Sequence, residues 1–340
     1  MKLPIEAYHQ LVPEMIEVLQ ERYRVLNFIK MLGPIGRRTL GETANLSERE
    51  TRTILEFLRN QQLVHIARNG ATVTDEGARL LTDLGQSIQQ WSGSDILEQQ
   101  LRKKLDIHQV VIVSGDADQH DFVKNLLGLK VAELLTTTLK EARTIAVSGG
   151  STVARIPDYL KVTVGNEAQL FIAARGGVGG RIELQANVIA ASFSKVCDAK
   201  YQSFYYPEAL SEELLQAFQK EPSVQKMLAL YEKVDCLIHG IGEANHMAKV
   251  RETAPEKMEE LLRLGAKGEA FGYYFDANGK AVKRIRTIGL QLEQVQKIPY
   301  IYAVAGGKSK AAAILSYMKS APSQTVLITD SAAAKEILNQ

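Results

Sequence analysis

Six apolar, β-branched runs between residues 110 and 330 constrain this chain more than any other feature. They read VVIVSG, TIAVSGG, LFIAARGG, VDCLIHGIG, YIYAVAGG and TVLITD, and helical segments separate them. Continuous apolar runs mean strands buried on both faces, and their alternation with helices predicts a doubly wound, mostly parallel α/β sheet. Most of the runs end in Gly or Gly-Gly. Ligands of open α/β sheets bind outside the carboxyl ends of the strands, so a pocket is expected there.

The first ninety residues have a different texture. Val25, Leu26, Ile29 and Leu32 recur at helical spacing, and Gly33-Pro34 stops that helix. A short helix follows with Leu40 and Ala44 inward, then a tight Asn-Leu connection. Ser47 opens a third helix, and Glu50 three residues on completes a capping box. Thr51, Ile54, Leu55 and Leu58 form its buried stripe, with Arg49, Arg52, Thr53 and Glu56 on the opposite side. VHIARNGATVT then reads as a hairpin around Asn69-Gly70. This is the order of a winged helix-turn-helix domain, whose third helix enters the major groove. Arg49, Arg52 and Thr53 are expected to read bases, and Arg37, Arg38 and the wing residue Arg68 to hold phosphates. Between Arg22 and Arg68 nine basic residues face four acidic ones, a local positive footprint in a chain of net charge +2. The alternative is a helical protein-contact domain with a solvated charged face.

A length of 340 residues suits two domains. Residues 1–91 are assigned to the DNA-binding domain with its linker helix, and residues 92–340 to an effector-binding domain, with SGSD at 92–95 as the hinge. Leu80, Leu81, Leu84, Ile88 and Trp91 form a helical stripe that is either core or a dimer seam, and a homodimer or homotetramer is expected. No apolar run reaches the roughly 18 residues of a membrane span, and the first residues lack the apolar core of a signal peptide. Cys197 and Cys236 have no CxxC partner, which suits reduced thiols in the cytoplasm. No membrane partner and no metal site are expected; His239 and His246 lack the partners for one.

Three glycine loops carry chemistry. In VSGGST, Gly149 and Gly150 let the backbone approach an anion, and Ser151 and Thr152 begin a helix, so free N–H groups, hydroxyls and dipole make an anion seat. In AARGGVGG, Arg175 offers a bidentate fork for phosphate. In AVAGGKSKA, Lys310 falls in the first turn of a helix, where a cation opposes the dipole unless an anion is bound. GGKS is not a Walker A motif, because Tyr302 stands where that motif needs its first glycine. Gln185 and Glu269 supply an amide and a carboxylate suited to sugar hydroxyls, and Lys249 and Arg251 are weaker candidates for a second phosphate.

The motifs GPIGRRTL, VSGDADQ, VSGGST, ARGGVGG, QAN, HGIGEA, EAFGYYFDANG and AVAGGKSKA together resemble the SorC/DeoR-type sugar-responsive transcriptional regulators over essentially the whole chain. Within that family the likeness is to repressors of glycolytic genes. It implies a helix-turn-helix domain, an effector domain related to glucosamine-6-phosphate deaminase and ribose-5-phosphate isomerase, operator DNA as partner and fructose 1,6-bisphosphate as inducer, with no cofactor. It maps Gly149, Gly150, Ser151, Thr152, Arg175, Gln185, Glu269 and Lys310 to effector contacts. Ser151 replaces an expected Thr and keeps the hydroxyl; Val250 replaces an expected basic residue, so that contact falls to Arg251 or is lost. The related enzymes need an Asp-Gly-His cluster or an Asp-rich loop where this chain has HGIGEANHM, which points to binding without turnover. The alternatives are a sugar-phosphate isomerase or deaminase with an accessory DNA domain, and a scaffold that binds neither ligand.

Overall fold

The computed structural model describes residues 12–44, 46–91, 94–160, 169–176, 181–203, 205 and 211–340. The chain divides into two compact units, Met1–Ile96 and Leu97–Gln340. Among the described residues no helix is long and apolar enough to cross a membrane.

In the first unit the helices Pro13–Leu32, Arg37–Ala44 and Glu48–Asn60 pack around Val25, Leu26, Phe28, Ile29, Leu40 and Leu58. The expected capping box is present. Ser47 Oγ accepts from the Glu50 N–H at 3.3 Å, and Glu50 Oε2 accepts from the Ser47 N–H at 2.8 Å, which satisfies two N–H groups that the helix itself cannot. Thr51, Ile54, Leu55 and Leu58 are buried along this helix, as its spacing predicts. Strands β1 (Val64–Ala67) and β2 (Gly70–Val73) form the antiparallel wing. Ala67 pairs with Gly70, so the turn is Arg68 and Asn69 and not Asn69-Gly70.

Ile35 explains the shift. Its backbone joins the wing, donating to Ala71 O at 3.0 Å and accepting from the Ala71 N–H at 2.8 Å. A Cβ at position 70 would lie 2.6 Å from the Ile35 carbonyl carbon, and Gly70 has φ of +128°. Glycine is needed at this close crossing, not at the tip. Gly70→Ala should therefore cost about 1–3 kcal/mol, because both the conformation and the space refuse a side chain. Chemical denaturation of the full chain followed by circular dichroism checks it; an unshifted first transition would refute it.

Helix Asp75–Trp91 follows the wing. Leu81 is buried, while Leu80 and Leu84 line an open apolar cleft of about 600 Å³ with Met15, Val18 and Phe57. The side chains of Ile88 and Trp91, and residues Asn45, Ser92 and Gly93 of the expected connection and hinge, lie outside the described residues.

In the second unit the strands are β3 (Gln109–Val113), β4 (Thr144–Val147), β5 (Leu170–Ala173), β6 (Lys200–Gln202), β7 (Cys236–Gly240), β8 (Gly242–Glu243), β9 (Ala266–Ala270), β10 (Tyr273–Asp276), β11 (Ala281–Arg284), β12 (Tyr300–Val304) and β13 (Thr325–Asp330). Seven of them form one sheet in the order β3-β13-β12-β7-β4-β5-β6, and every pairing in it is parallel. All six apolar runs are strands of this sheet. Alternate side chains enter opposite layers: Leu237 and Ile301 pack in one core, Cys236, Ile238 and Tyr302 in the other. The sheet is thus buried on both faces, as the unbroken hydrophobicity requires. The chain runs outward from β4 to β6, then returns to β7 on the other side of β4. That reversal makes the carboxyl ends of β4 and β7 the topological switch point, where such sheets open a crevice.

A smaller antiparallel sheet, β11-β10-β9-β8, sits beside this edge. Tyr273 and Phe275 of β10 face the large core, while Tyr274 packs with Ala244, Ala248 and Leu261. In β9 Glu269 pairs with Tyr274 on one side and Gly242 on the other. The small sheet therefore presents Glu269 beside the end of β7.

Candidate effector site and DNA-binding face

At the switch point the ends of β4 and β7 are joined by Ser148. Its N–H donates to Ile238 O at 2.9 Å, and its Oγ accepts from the Gly240 N–H at 3.1 Å. The Gly150 N–H donates to Leu184 O at 3.0 Å, drawing in the turn Ile182–Leu184 and with it Gln185. Gly149, Gly150, Ser151, Thr152 and Gln185 are thereby brought together. Thr152 is buried and Ser151 half-buried; among the described residues their N–H groups and the Gln185 side-chain amide make no hydrogen bond.

The helix expected to start at Ser151 is not there. Two single 3-10 turns, Val153–Arg155 and Pro157–Tyr159, replace it. Pro157 is the reason, since in a helix its ring would collide with the carbonyl four residues earlier. The expected anion seat is left with local N–H groups and hydroxyls, without the dipole of a long helix.

Arg175 follows β5 and is anchored to residue 289, with the Leu290 N–H donating to Ala174 O at 2.9 Å. Its Nη1 lies 3.0 Å from Glu269 Oε1, and Arg251 Nη2 lies 3.0 Å from the same oxygen. The Gly272 N–H donates to that oxygen at 2.7 Å, and Arg251 Nη1 donates to Tyr274 Oη at 3.1 Å. All three charged side chains are at most 7% exposed. Burial would raise the Glu269 carboxyl, but Arg251 and Arg175 overturn that and hold it below its ordinary 4.5. Burial draws the Arg175 guanidinium down to about 10, with Glu269 opposing the fall. Glu269 and Arg175 are therefore both ionised at neutral pH. Arg175 is thereby held in one orientation by a carboxylate.

Arg251 reaches the trio because it is the C-cap residue of helix Ala244–Val250 and turns inward, whereas Lys249 and Val250 stay exposed. Residues 177–180 of the ARGGVGG loop lie outside the described residues.

Lys310 does not sit within an α-helix. It ends the 3-10 turn Lys308–Lys310 and is the N-cap residue of helix Ala311–Met318. Among the described residues its ammonium has no hydrogen bond or ion pair. Burial and then the nearby Lys124 lower its proton affinity, while Asp118 and Asp330 oppose them. Sequence reasoning gave no individual role to Lys124, Asp116, Asp118 or Asp330, although the VSGDADQ motif holds two of them. His239, as expected, is structural: it lies between Phe271 at 4.4 Å and Tyr317 at 5.2 Å between ring centres, and burial pushes it down to about 4, so it is neutral.

In the first unit Arg49, Arg52, Thr53 and Glu56 share the exposed side of helix Glu48–Asn60, and Arg68 stands exposed at the tip of the wing. Arg52 pairs with Glu56 at 2.8 Å, Arg37 with Glu48 at 2.9 Å and Arg38 with Glu42 at 3.1 Å. Exposed pairs of this kind contribute roughly 0–1 kcal/mol, so they hold these arginines only weakly.

The arrangement agrees with known proteins. Residues 18–88 match the family described as "CggR N-terminal DNA binding domain", and residues 89–339 match "Putative sugar-binding domain". The central glycolytic genes regulator of Priestia megaterium (strain DSM 319 / IMG 1521) is 38% identical over 339 residues, covering 99% of each chain. That of Bacillus subtilis (strain 168) is 38% identical over 98% of each. The crystal structure of a SorC family transcriptional regulator from Enterococcus faecalis is 41% identical with TM-score 0.66, covering 71% of this chain and 99% of that one. The full-length sorbitol operon regulator SorC from Klebsiella pneumoniae shares the fold at 17% identity and TM-score 0.64, over 96% of this chain and 99% of that one. A winged reading head, a sugar-binding α/β unit and near-complete likeness to these regulators lead to one assignment: the chain belongs to the SorC-type transcriptional regulators, in the family of the central glycolytic genes regulators.

Proposed function

We propose that the protein is a cytoplasmic repressor of glycolytic genes, acting as a homodimer or homotetramer, that binds operator DNA and is released by fructose 1,6-bisphosphate. The observation that carries the effector assignment is the spread of positive charge along one sheet edge. Lys310 follows β12, Arg175 follows β5, and β7 and β4 lie between them. Three strand spacings amount to roughly 14 Å. One phosphate cannot serve both ends, whereas a sugar phosphorylated at each end can. Ser151 and Thr152 add N–H groups and hydroxyls between the cations, and Gln185 and Glu269 are the groups for sugar hydroxyls.

An isomerase or deaminase is the weaker reading, and no cofactor is called for. Glu269 is held ionised by two guanidiniums and an N–H, so it has no proton to give and is a weak base. Calorimetric titration with fructose 1,6-bisphosphate and fructose 6-phosphate tests the effector. Tenfold or greater preference for the bisphosphate is expected; equal affinities would end the two-ended pocket. Sustained conversion of either sugar, lost on mutating one carboxylate, would instead establish an enzyme.

On the DNA side, Arg52→Ala should cost on the order of 1–3 kcal/mol and relax sequence preference. Arg68→Ala should weaken all sequences alike and reduce the salt slope by about one. Equal losses from both, independent of sequence, would show that helix Glu48–Asn60 is not the reader.

A further inference from the structure

The turn that carries Lys310 already has anions on it. The Gly307 N–H donates to Asp330 Oδ2 at 2.6 Å, the Lys308 N–H to Asp116 Oδ1 at 3.3 Å and the Ser309 N–H to Asp118 Oδ2 at 2.7 Å. Ser309 Oγ also donates to Asp118 Oδ1, at 2.9 Å. Three successive N–H groups of one turn are thus each taken by a different carboxylate of the protein.

The three carboxylates are not equivalent. Asp330 is wholly buried and also accepts from the Ala117 and Ala333 N–H groups, each at 2.8 Å, which makes it a structural cap for helix Ser331–Asn339. Asp116 is half-buried and accepts from the Asp118 N–H at 2.9 Å, which shapes the loop after β3. Asp118 is exposed, and both its oxygens rest on Ser309. It lies so close to the turn that a Cβ on Gly307 would come within 2.4 Å of its Oδ1. Lys310, next along the chain, has the field of Asp118 but no ion pair with it.

We propose that Asp118 is a built-in competitor of the effector's phosphate. Its carboxylate occupies the Ser309 N–H and Oγ, the donors beside the Lys310 ammonium, and places a negative charge where a phosphate would approach. This inference rests on the reading of Lys310 as a phosphate contact. A phosphate dianion carries more charge and three acceptor oxygens, so it can displace Asp118 or bind against its field. A singly charged or neutral sugar cannot. Asp118 thereby raises the concentration at which the site fills and restricts it to strongly anionic ligands.

Asp118→Asn in the full-length protein tests this, because the amide keeps an acceptor for Ser309 and loses the charge. Calorimetry with fructose 1,6-bisphosphate should show roughly tenfold tighter binding at low ionic strength, with the gain shrinking at high salt. Equal or weaker binding by a variant that melts like the parent would overturn the proposal. If Asp118→Asn melts early, Asp118→Ser decides. It removes the charge while leaving both Ser309 donors in place, so it should also tighten binding, and an unchanged affinity overturns the idea. Should the parent fail to bind the bisphosphate, the effector assignment falls on its own. Inorganic phosphate then serves as probe: stronger binding to Asp118→Asn than to the parent supports the internal anion, and no difference overturns it.

Discussion

Glu269→Ala should cost the second unit about 3–5 kcal/mol, the usual penalty for leaving buried charge without its partner. The substitution leaves the guanidiniums of Arg175 and Arg251, both almost fully buried, with no carboxylate between them. Each then carries its desolvation cost, and the two repel. Glu269→Gln keeps the shape and one acceptor, so its loss should be smaller. The pH dependence has a definite sign. Because the folded-state pKa of Glu269 is depressed, its contribution is complete above the ordinary carboxyl value and disappears as pH falls through the folded one. The stability gap between parent and Glu269→Ala should therefore be widest at neutral pH and close progressively below about pH 4.5. Denaturant melts across that range decide it, and a neutral-pH difference under 1 kcal/mol would mean that water screens the trio.

The same trio shows what a sequence can and cannot display. Arg175, Glu269 and Arg251 can each be picked out by residue type, but their convergence on one oxygen joins segments 94 residues apart. The inward turn of Arg251, and not of its neighbours 249 and 250, depends on where helix Ala244–Val250 ends. A one-residue change in that end point would exchange them. Strands were legible where both faces are buried, because an unbroken apolar run then follows. β6 was not, since Lys200–Gln202 is a short, mostly exposed edge strand whose polar side chains guard the open side of the sheet. Of the antiparallel sheet only the aromatic strand after Glu269 and its Asn-Gly turn were legible; the other strands are two to five residues long, and the sheet splits its side chains between two cores. In the first unit local chemistry was enough for the capping box. It misplaced the hairpin turn by one residue because Ile35, far from it in sequence, fixes Gly70.

Lys310→Ala should leave operator binding intact while abolishing release by the sugar. Lys310 is a different case from Glu269, because its ammonium has no hydrogen bond or ion pair among the described residues. Removing it breaks no internal pair, so the melting transition should change little. A charge-assisted contact to phosphate is worth about 1.5–3 kcal/mol, so effector affinity should fall by roughly 10- to 150-fold. For the parent, effector and operator must influence each other by the same factor, since coupling between binding sites is reciprocal. Typical coupling of roughly 1–3 kcal/mol corresponds to about 5- to 150-fold in affinity, which is enough to empty an operator. The covalent path from one unit to the other runs through residues 78–101, so that stretch is expected to carry the change. Operator titrations with and without fructose 1,6-bisphosphate read both quantities at once. The parent's curve should move to weaker binding and the variant's should not; a parent curve that stays in place would remove the regulatory mechanism even if both ligands bind.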